Sequence, residues 1–141
     1  MGQMPPGLRG AFVGRHDVPA HQVSHLLAPE ASSIVRARRA VEALPLTPAQ
    51  TGDVKLIVSE LVTNGVEHAD LCGSDRIEVW AAIDRGGALR VEVRDPGPGP
   101  PADARSGMGW RILERVADRW GVEHRDGQAR VWFELDPAVD G

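Results

Sequence analysis

The sequence predicts an α+β domain, a two-layer sandwich in which a mixed, mainly antiparallel sheet is covered on one face by helices. Two segments, RIEVWAAID and LRVEVRD, alternate apolar and polar residues as half-buried strands do. Three further segments, around SSIVRARRAVEAL, LTPAQ and GMGWRILERVADRW, carry apolar residues at helical spacing. All of them fit within 141 residues, which suits one domain over residues 21–138.

The N-terminal segments predict an arm, a short strand and a first helix. Residues 1–20 carry Pro and Gly without periodicity, so we expect a flexible arm. VSHLLA could form an edge strand, and Ser32 or Ser33 is the expected N-cap of the helix after it. The apolar side of that helix is expected to consist of Ile34, Val35, Ala37, Val41 and Leu44.

The second helix has a strong start signal. Thr47 is the expected N-cap, Pro48 occupies the first helical position, and Gln50 completes a capping box. The helix should then run to about His68. The strands RIEVWAAID and LRVEVRD follow it as a hairpin, with RGGA at the turn.

The C-terminal segments predict a loop, a third helix and a second hairpin. PGPGPPADARS is rich in Pro and Gly and predicts the loop. Helical spacing resumes at GMGWRIL and continues to Trp120, where Gly121 is expected to end the helix. The last hairpin should turn at Asp126 and Gly127, with Val131 among its inward residues.

Composition and charge exclude some classes of function. The formal net charge is −4, so we expect no broad electrostatic contact with nucleic acid or with an anionic membrane. The single cysteine, Cys72, excludes an intrachain disulfide. No stretch approaches the roughly 20 apolar residues of a membrane span, and no signal peptide is evident. A cytoplasmic protein is the expectation.

The second helix carries two polar residues that could belong to a site. Glu60 and Asn64 are four residues apart, so they lie on one stripe next to the apolar face. Asn64 offers a neutral oxygen of the kind that Mg²⁺ accepts, and Glu60 can accept a proton or hold a water. The alternative is a solvated pair on an exposed face.

Asp95 is the last residue of its strand, and it has the same parity as Leu89, Val91 and Val93, which are expected to face inward. A carboxylate there needs a partner, and a ligand amino group would serve. Gly97 and Gly99 would let the backbone approach that ligand closely. The alternative is a polar strand end that runs into a turn.

Gly107 and Gly109 stand at the start of the third helix. Bare backbone N–H groups at a helix N-terminus form an anion site. The pattern is no dinucleotide fingerprint, because no strand leads into it and a third glycine is missing. A simple helix cap is the alternative.

The order of these three motifs resembles the GHKL superfamily of ATP-binding domains, which includes DNA gyrase, heat-shock chaperones and sensor histidine kinases. The phrases SELVTNGVEH, DPGPG, GMGWRIL and VWFEL are most similar to the anti-sigma-factor serine/threonine kinases. The resemblance spans about Ser32 to Leu135 and implies a Bergerat-type ATP-binding fold with ATP and Mg²⁺ as cofactors.

The resemblance also implies a role for each residue of the motifs. Glu60 matches the family's catalytic base or water-orienting residue, and Asn64 its magnesium ligand. Asp95 matches the carboxylate that binds the adenine amino group. The two glycine boxes that line the nucleotide match Gly97, Gly99, Gly107 and Gly109. The ATP lid matches the loop from Pro100 to Ser106.

Two departures from the family pattern bear on activity. The expected lid is short and begins with two prolines, and Gly127-Gln128-Ala129 stands where the family often has Gly-Thr. Both departures weaken the case for phosphoryl transfer more than the case for nucleotide binding. The leading hypothesis is a kinase that phosphorylates a Ser or Thr of a partner protein such as an anti-sigma antagonist. The alternative is a non-catalytic module, with or without ATP, that sequesters a sigma factor.

Two further expectations follow from the resemblance. A homodimer is possible. A detached histidine-kinase catalytic domain is disfavoured, because this sequence shows no dimerisation helices with a phosphoacceptor histidine.

Overall fold

The computed structural model describes residues 19–100, 105 and 107–138. Its elements are β1 (His21–Leu27), α1 (Ser32–Glu42), α2 (Pro48–His68), β2 (Ile77–Ile83), β3 (Leu89–Asp95), α3 (Met108–Val116), β4 (Arg119–Arg125) and β5 (Gln128–Leu135). Residues 1–18 of the predicted arm lie outside the described residues, as do residues 101–104 and 106 of the predicted lid.

The strands form one five-stranded sheet in the order β1-β2-β3-β5-β4. All four pairings are antiparallel, so the sheet that was expected to be mixed has no parallel pair among the described strands. β1 lies at one edge, as its sequence predicts, and β4 lies at the other. The predicted α+β architecture is confirmed.

The core lies between the helices and one face of the sheet. α2 packs against both α1 and α3. Val91 and Phe133 are fully buried on the sheet, and Ile57 and Val58 are fully buried on α2. Val91 has the inward parity that the sequence predicts for its strand. Burial of such side chains from water is the main force that holds the two layers together.

α2 begins as the sequence predicts. The Thr47 Oγ1 atom accepts a hydrogen bond from the Gln50 backbone N–H at 3.1 Å, and the Gln50 Oε1 atom accepts one from the Thr47 N–H at 3.1 Å. This capping box fixes the helix start. Although α2 has 21 residues, neither it nor any other helix in the described part of the chain is long and apolar enough to cross a membrane.

The start of α1 differs from the prediction. Ala31 is the N-cap residue and no side chain caps the helix. The expected cap residue Ser33 is buried and donates its hydroxyl hydrogen bond to the Ala28 carbonyl oxygen at 2.6 Å. Val35 was expected on the apolar side but is half exposed, at 50%. The buried side of the helix is the one that carries Ala37 and Val41.

The third helix is shorter than predicted. α3 ends at Val116, and the next residue, Ala117, already has an extended backbone with ψ 133°. Trp120 and Gly121 therefore lie within β4 and do not end a helix. The side chain of Trp132 explains the glycine, because a Cβ at Gly121 would approach its Nε1 atom to 2.8 Å. The apolar residues keep a helical spacing into the segment that forms β4, and the prediction of a longer helix was therefore wrong.

The face of the sheet away from the helices, here called the outer face, is more buried than two half-buried strands predict. Trp80 is 1% exposed and Glu92 is fully buried. Arg90 donates to Glu92 at 3.1 Å and to Glu134 at 2.8 Å, and its guanidinium carbon lies 4.3 Å from the centroid of the Trp132 ring. Charge pairing thus allows Arg90, Glu92 and Glu134 to be buried on this face.

Candidate functional site

A cleft lies between α2 and the adjoining ends of β3 and β5. Among the described residues its lining includes Asn64, Gly65, Asp95, Gly99 and Ala129. The enclosed part measures about 10 Å³, which is room for roughly one water molecule. Because α2 crosses the end of β3 here, residues of both elements can contact one ligand.

Asp95 lies at the floor of this cleft. Its side chain is buried, and its Oδ1 atom accepts a hydrogen bond from the Gly97 N–H at 2.7 Å. Desolvation raises the pKa of Asp95 above its ordinary value of 3.8, whereas the Gly97 hydrogen bond and the charge of His124 act in the opposite direction. The carboxylate is thus held in place but incompletely compensated.

The first pair of glycines meets tight steric limits. A Cβ at Gly97 would lie 2.7 Å from the Cβ of Ala69 and 2.9 Å from Asp95 Oδ1. Gly99 has φ +85° and a Cβ there would lie 3.2 Å from the Cβ of Ala129, so both space and backbone conformation favour glycine. These two residues bring the loop after β3 against the cleft.

Asn64 faces the same cleft from α2. The residue is 7% exposed, and its Nδ2 atom has no hydrogen-bond partner. A buried amide without a partner is unfavourable by about 1–3 kcal/mol, so the arrangement is one that a ligand or a bound water would complete. The structure brings Asn64 and Asp95 to one pocket, as the order of the motifs predicts.

Gly65, which the sequence analysis did not single out, also shapes the cleft. A Cβ at Gly65 would lie 2.9 Å from the Ile77 Cδ1 atom and 3.6 Å from Asp95 Oδ2. Glycine inside a helix lowers stability by about 1 kcal/mol relative to alanine. A glycine in mid-helix beside Asn64 was therefore a signal that the helix must approach the sheet closely there.

The second pair of glycines packs against Glu60. A Cβ at Gly107 would lie 1.9 Å from Glu60 Oε1, and a Cβ at Gly109 would lie 2.4 Å from the Glu60 Cβ and 2.7 Å from the Leu56 carbonyl oxygen. No side chain caps the N-terminus of α3. The glycines thus do more than expose N–H groups, because they also let α3 approach α2 with the Glu60 carboxylate beside its first turn.

The predicted site residues form two groups along α2. Asn64, Asp95, Gly97 and Gly99 meet at the floor, here called the Asp95 end. Glu60, Gly107 and Gly109 meet at the start of α3, here called the Glu60 end. Four residues of helix separate Glu60 from Asn64, which is about 6 Å along the axis. One elongated ligand can therefore contact both ends.

His124 was also missed by the sequence analysis, and Ala129 was noted there only as part of the segment that replaces the family's Gly-Thr. They are cross-strand partners in the β4–β5 hairpin, and Ala129 pairs with Asp95 in turn. The turn at Asp126 and Gly127, where both φ angles are positive, is as predicted. Counting outward from that turn would have placed His124 and Ala129 beside the end of β3.

A long capped helix over an antiparallel sheet, with a buried carboxylate, a buried amide and two glycine pairs around one cleft, defines the fold and site of a histidine-kinase-like ATP-binding domain. The sequence matches the histidine kinase-like ATPase domain family over residues 27–135. The chain belongs to this family, and ATP is the ligand that the family's cleft is built for.

Known relatives agree with this assignment. Blue-light-activated histidine kinase 2 of Erythrobacter litoralis is 27% identical over 122 residues, which cover 81% of this chain and 33% of that protein. The chain thus spans about a third of the length of this curated relative.

Two solved structures share the fold. The RsbU and RsbW domains of a Mycobacterium tuberculosis protein superpose with a TM-score of 0.62 at 19% identity, over 84% of this chain and 33% of that chain. The histidine kinase domain of a blue-light-activated histidine kinase from Erythrobacter litoralis superposes with a TM-score of 0.53 at 22% identity, over 74% of this chain and 59% of that chain.

Proposed function

We propose that this protein binds Mg·ATP and transfers the γ-phosphate to a serine or threonine of a partner regulator, as anti-sigma-factor kinases do. The observation that carries the proposal is the position of Glu60. Its carboxylate lies against Gly107 at the uncapped start of α3, one helical turn from Asn64. A carboxylate beside an anion-binding helix start is suited to orient a hydroxyl toward a phosphate.

Binding is assigned to the Asp95 end. The Asp95 carboxylate accepts a hydrogen bond from the adenine amino group, and Gly97 and Gly99 keep the backbone close to the ring. Asn64 supplies one oxygen to magnesium. Mg²⁺ keeps several waters and takes further oxygens from phosphates, so one protein ligand suffices. Asn64, buried at 7% exposure in the cleft lining, would hold the ion through Oδ1, and its unpaired Nδ2 could donate to a phosphate oxygen.

Transfer is assigned to the Glu60 end. The partner's hydroxyl oxygen forms a bond to the γ-phosphorus while the bond from that phosphorus to the β,γ-bridging oxygen breaks, and ADP leaves. Glu60 accepts or orients the hydroxyl proton. Most of the acceleration in such reactions comes from positioning and charge neutralisation, and the backbone N–H groups at Gly107 and Gly109 contribute to the latter.

A second candidate is a non-catalytic module that binds ATP, or has lost it, and sequesters a sigma factor or a similar regulator. Ala129 favours this alternative. It lines the cleft beside Asp95 with a methyl group, near the place where the family often has a threonine hydroxyl. One nucleotide contact is therefore absent, whichever function the protein has.

Calorimetry with ATP, with and without Mg²⁺, tests the proposal first. We expect magnesium-dependent binding in the parent and in an Asn64→Ala variant a loss of about tenfold confined to the magnesium-dependent part. Transfer of ³²P from ATP to a candidate partner then separates the kinase from the module. Binding without transfer to any cognate partner favours the module, and no ATP binding contradicts both ATP-dependent forms.

A further inference from the structure

The outer face of the sheet carries a second cavity, on the side opposite the nucleotide cleft. It measures about 250 Å³, and the described residues that line it are Arg94, Arg125, Asp126, Gln128 and Arg130. Arg94 directly precedes Asp95 along β3, and Arg130 directly follows Ala129 along β5. Successive residues of a strand point to opposite faces, so the two cavities lie back to back.

The charges in this region follow the register of the sheet. Across β2, β3, β5 and β4, one row of cross-strand partners reads Glu78, Arg94, Arg130 and Glu123. The two carboxylates lie at the ends of the row and the two guanidinium groups lie side by side in its middle. Like charges directly opposite one another are destabilising, so the centre of the row favours an added anion.

The existing ion pairs leave part of both guanidinium groups unused. Arg94 Nη2 contacts Glu78 Oε1 at 2.5 Å, and Arg130 Nη2 contacts Glu123 Oε2 at 3.2 Å. Arg130 Nη1 is 3.6 Å from Glu92 Oε1, too long for a hydrogen bond. Arg130 is only 6% exposed, yet its Nε and Nη1 atoms and the Nε atom of Arg94 have no hydrogen-bond partner.

Arg125 adds a third positive charge at the rim. It pairs across the hairpin with Gln128 and is exposed, and among the described residues no carboxylate forms an ion pair with it. Asp126 is the one acid in the described lining, so three arginines and one aspartate leave this lining with a net charge of +2. The carboxylates paired with Arg94 and Arg130 lie outside this lining and offset their charge, so the positive charge that no described ion pair offsets is that of Arg125.

The other arginine cluster on the same face provides an internal comparison. Arg90 donates to Glu92 and Glu134, and Arg119 donates to Glu134 and Asp136 at distances of 2.6 to 3.1 Å. In that cluster each guanidinium group donates hydrogen bonds to two carboxylates, and neither arginine has a buried nitrogen without a partner. Among the described residues of this face, the buried guanidinium nitrogens without a hydrogen-bond partner thus belong to Arg94 and Arg130.

We propose that Arg94, Arg125 and Arg130 form a binding site for a phosphate-type oxyanion on the outer face of the sheet. Guanidinium groups match such oxyanions because their N–H groups form paired, charge-assisted hydrogen bonds. The anion sits between Arg94 and Arg130, relieves their repulsion, and is closed in by Arg125. This site is separate from the nucleotide cleft and does not depend on the function proposed for it.

Titration with inorganic phosphate, followed by amide and arginine Nε–Hε NMR signals at constant ionic strength, tests this site. We expect saturable shifts in residues 125–130 and at Arg94, with a dissociation constant on the order of a millimolar. Arg125→Gln should weaken binding roughly five- to tenfold. Arg125 forms no ion pair within the described chain, so this variant should fold. Arg85→Gln, exposed at the β2–β3 turn, is the matched control and should bind like the parent.

Three outcomes would overturn the site. One is that chloride gives the same shifts at matched ionic strength. Another is that Arg125→Gln and Arg85→Gln bind phosphate equally well. The last is that the shifts are confined to residues 107–109, which would place phosphate in the nucleotide cleft. A parallel titration with O-phosphoserine separates the two sources of the oxyanion. Tighter binding of O-phosphoserine would indicate a phosphorylated side chain, whereas equal or tighter binding of inorganic phosphate would indicate a free phosphate ion.

Discussion

The two ends of the cleft are built by different means from neighbouring turns of α2. At the Asp95 end, polar side chains are withdrawn from water with incomplete pairing: Asp95 has one backbone hydrogen bond and Asn64 Nδ2 has none. At the Glu60 end, side chains are absent where two helices meet, since Gly107 and Gly109 leave no room for a Cβ. One end depends on desolvation and the other on shape.

This difference separates what each end can contribute. Desolvated polar groups are stabilised when a complementary ligand forms hydrogen bonds with them, so the Asp95 end should govern the affinity for the ligand. Close packing fixes a side chain within a few tenths of an ångström, so the Glu60 end should govern geometry and hence the rate of a reaction. Changes at the two ends should therefore have separable effects.

The largest expected effect tests the Glu60 end. Glu60→Gln keeps the shape of the side chain but removes the proton acceptor. We expect phosphoryl transfer to fall by roughly 10²-fold or more, while Mg·ATP affinity stays within a few-fold. Radiolabel transfer at saturating ATP and calorimetry measure the two. Glu114→Gln, exposed on α3, is the control and should change neither. Equal losses of affinity and transfer would contradict the separation.

The next largest effect tests the Asp95 end. Asp95→Asn presents an N–H donor where the adenine amino group also donates, so ATP affinity should fall by roughly 10- to 100-fold, the value of a hydrogen bond to a charged group. GTP should gain little, because guanine needs further contacts. Asp53→Asn, near the start of α2, is the control. An Asp95→Asn protein that binds ATP like the parent would remove Asp95 from the site.

The Asp95 end was more predictable from the sequence than the Glu60 end. The parity of Leu89, Val91 and Val93 alone places Asp95 inward, and helical spacing alone places Asn64 beside the apolar face. Strand and helix periods are local properties, so the sequence contains them. Residue types at fixed local positions, which the sequence also contains, predicted the capping box of α2 and the turn at Asp126 and Gly127.

What the sequence could not predict depends on contacts between distant segments. That Gly107 and Gly109 face Glu60 follows from the packing of α3 on α2, which no local period encodes. The predicted end of α3 was wrong for a related reason. The helical pattern continues to Trp120, but residues Arg119–Arg125 pair with β5 as a strand. Cross-strand pairing overrode a local helical signal.

A third prediction compares two glycines on the helices that meet at the Glu60 end. Gly109→Ala introduces a Cβ that would lie 2.4 Å from the Glu60 Cβ and 2.7 Å from the Leu56 carbonyl oxygen. We expect the free energy of unfolding to fall by about 1–3 kcal/mol, as overpacked sites do. Urea unfolding followed by circular dichroism measures the change.

Gly52→Ala is the matched control for Gly109→Ala. Gly52 lies in α2, and no atom lies within 4 Å of where its Cβ would be. Alanine there should raise the free energy of unfolding by about 0.5–1 kcal/mol, because it favours the helix. Opposite signs for the two glycines would confirm that the Glu60 end depends on shape, whereas a neutral Gly109→Ala would show that α3 can move away from α2.

The smallest expected effect concerns the stability of the unliganded protein. Because desolvation raises the pKa of Asp95, the ionised carboxylate opposes folding at neutral pH. Asp95→Asn removes that charge, and an Asn Oδ1 atom can still accept the Gly97 hydrogen bond. We therefore expect this variant, which loses ATP affinity, to gain about 1 kcal/mol in free energy of unfolding at pH 7, as functional residues often oppose stability.

The pH dependence of that gain identifies its cause. The pKa of Asp95 in the folded protein lies above its ordinary value of 3.8, so between these two values the folded state binds more protons than the unfolded state. The free energy of unfolding of the parent then falls as pH rises through this window and levels off above it. Asp95→Asn lacks this contribution. Its advantage over the parent in free energy of unfolding should be near zero below pH 3.8, grow as pH rises, and reach a plateau at neutral pH.

Urea unfolding of both proteins in matched buffers measures the difference. An advantage that is constant with pH would assign the gain to packing at the Asp95 end and not to the desolvated charge.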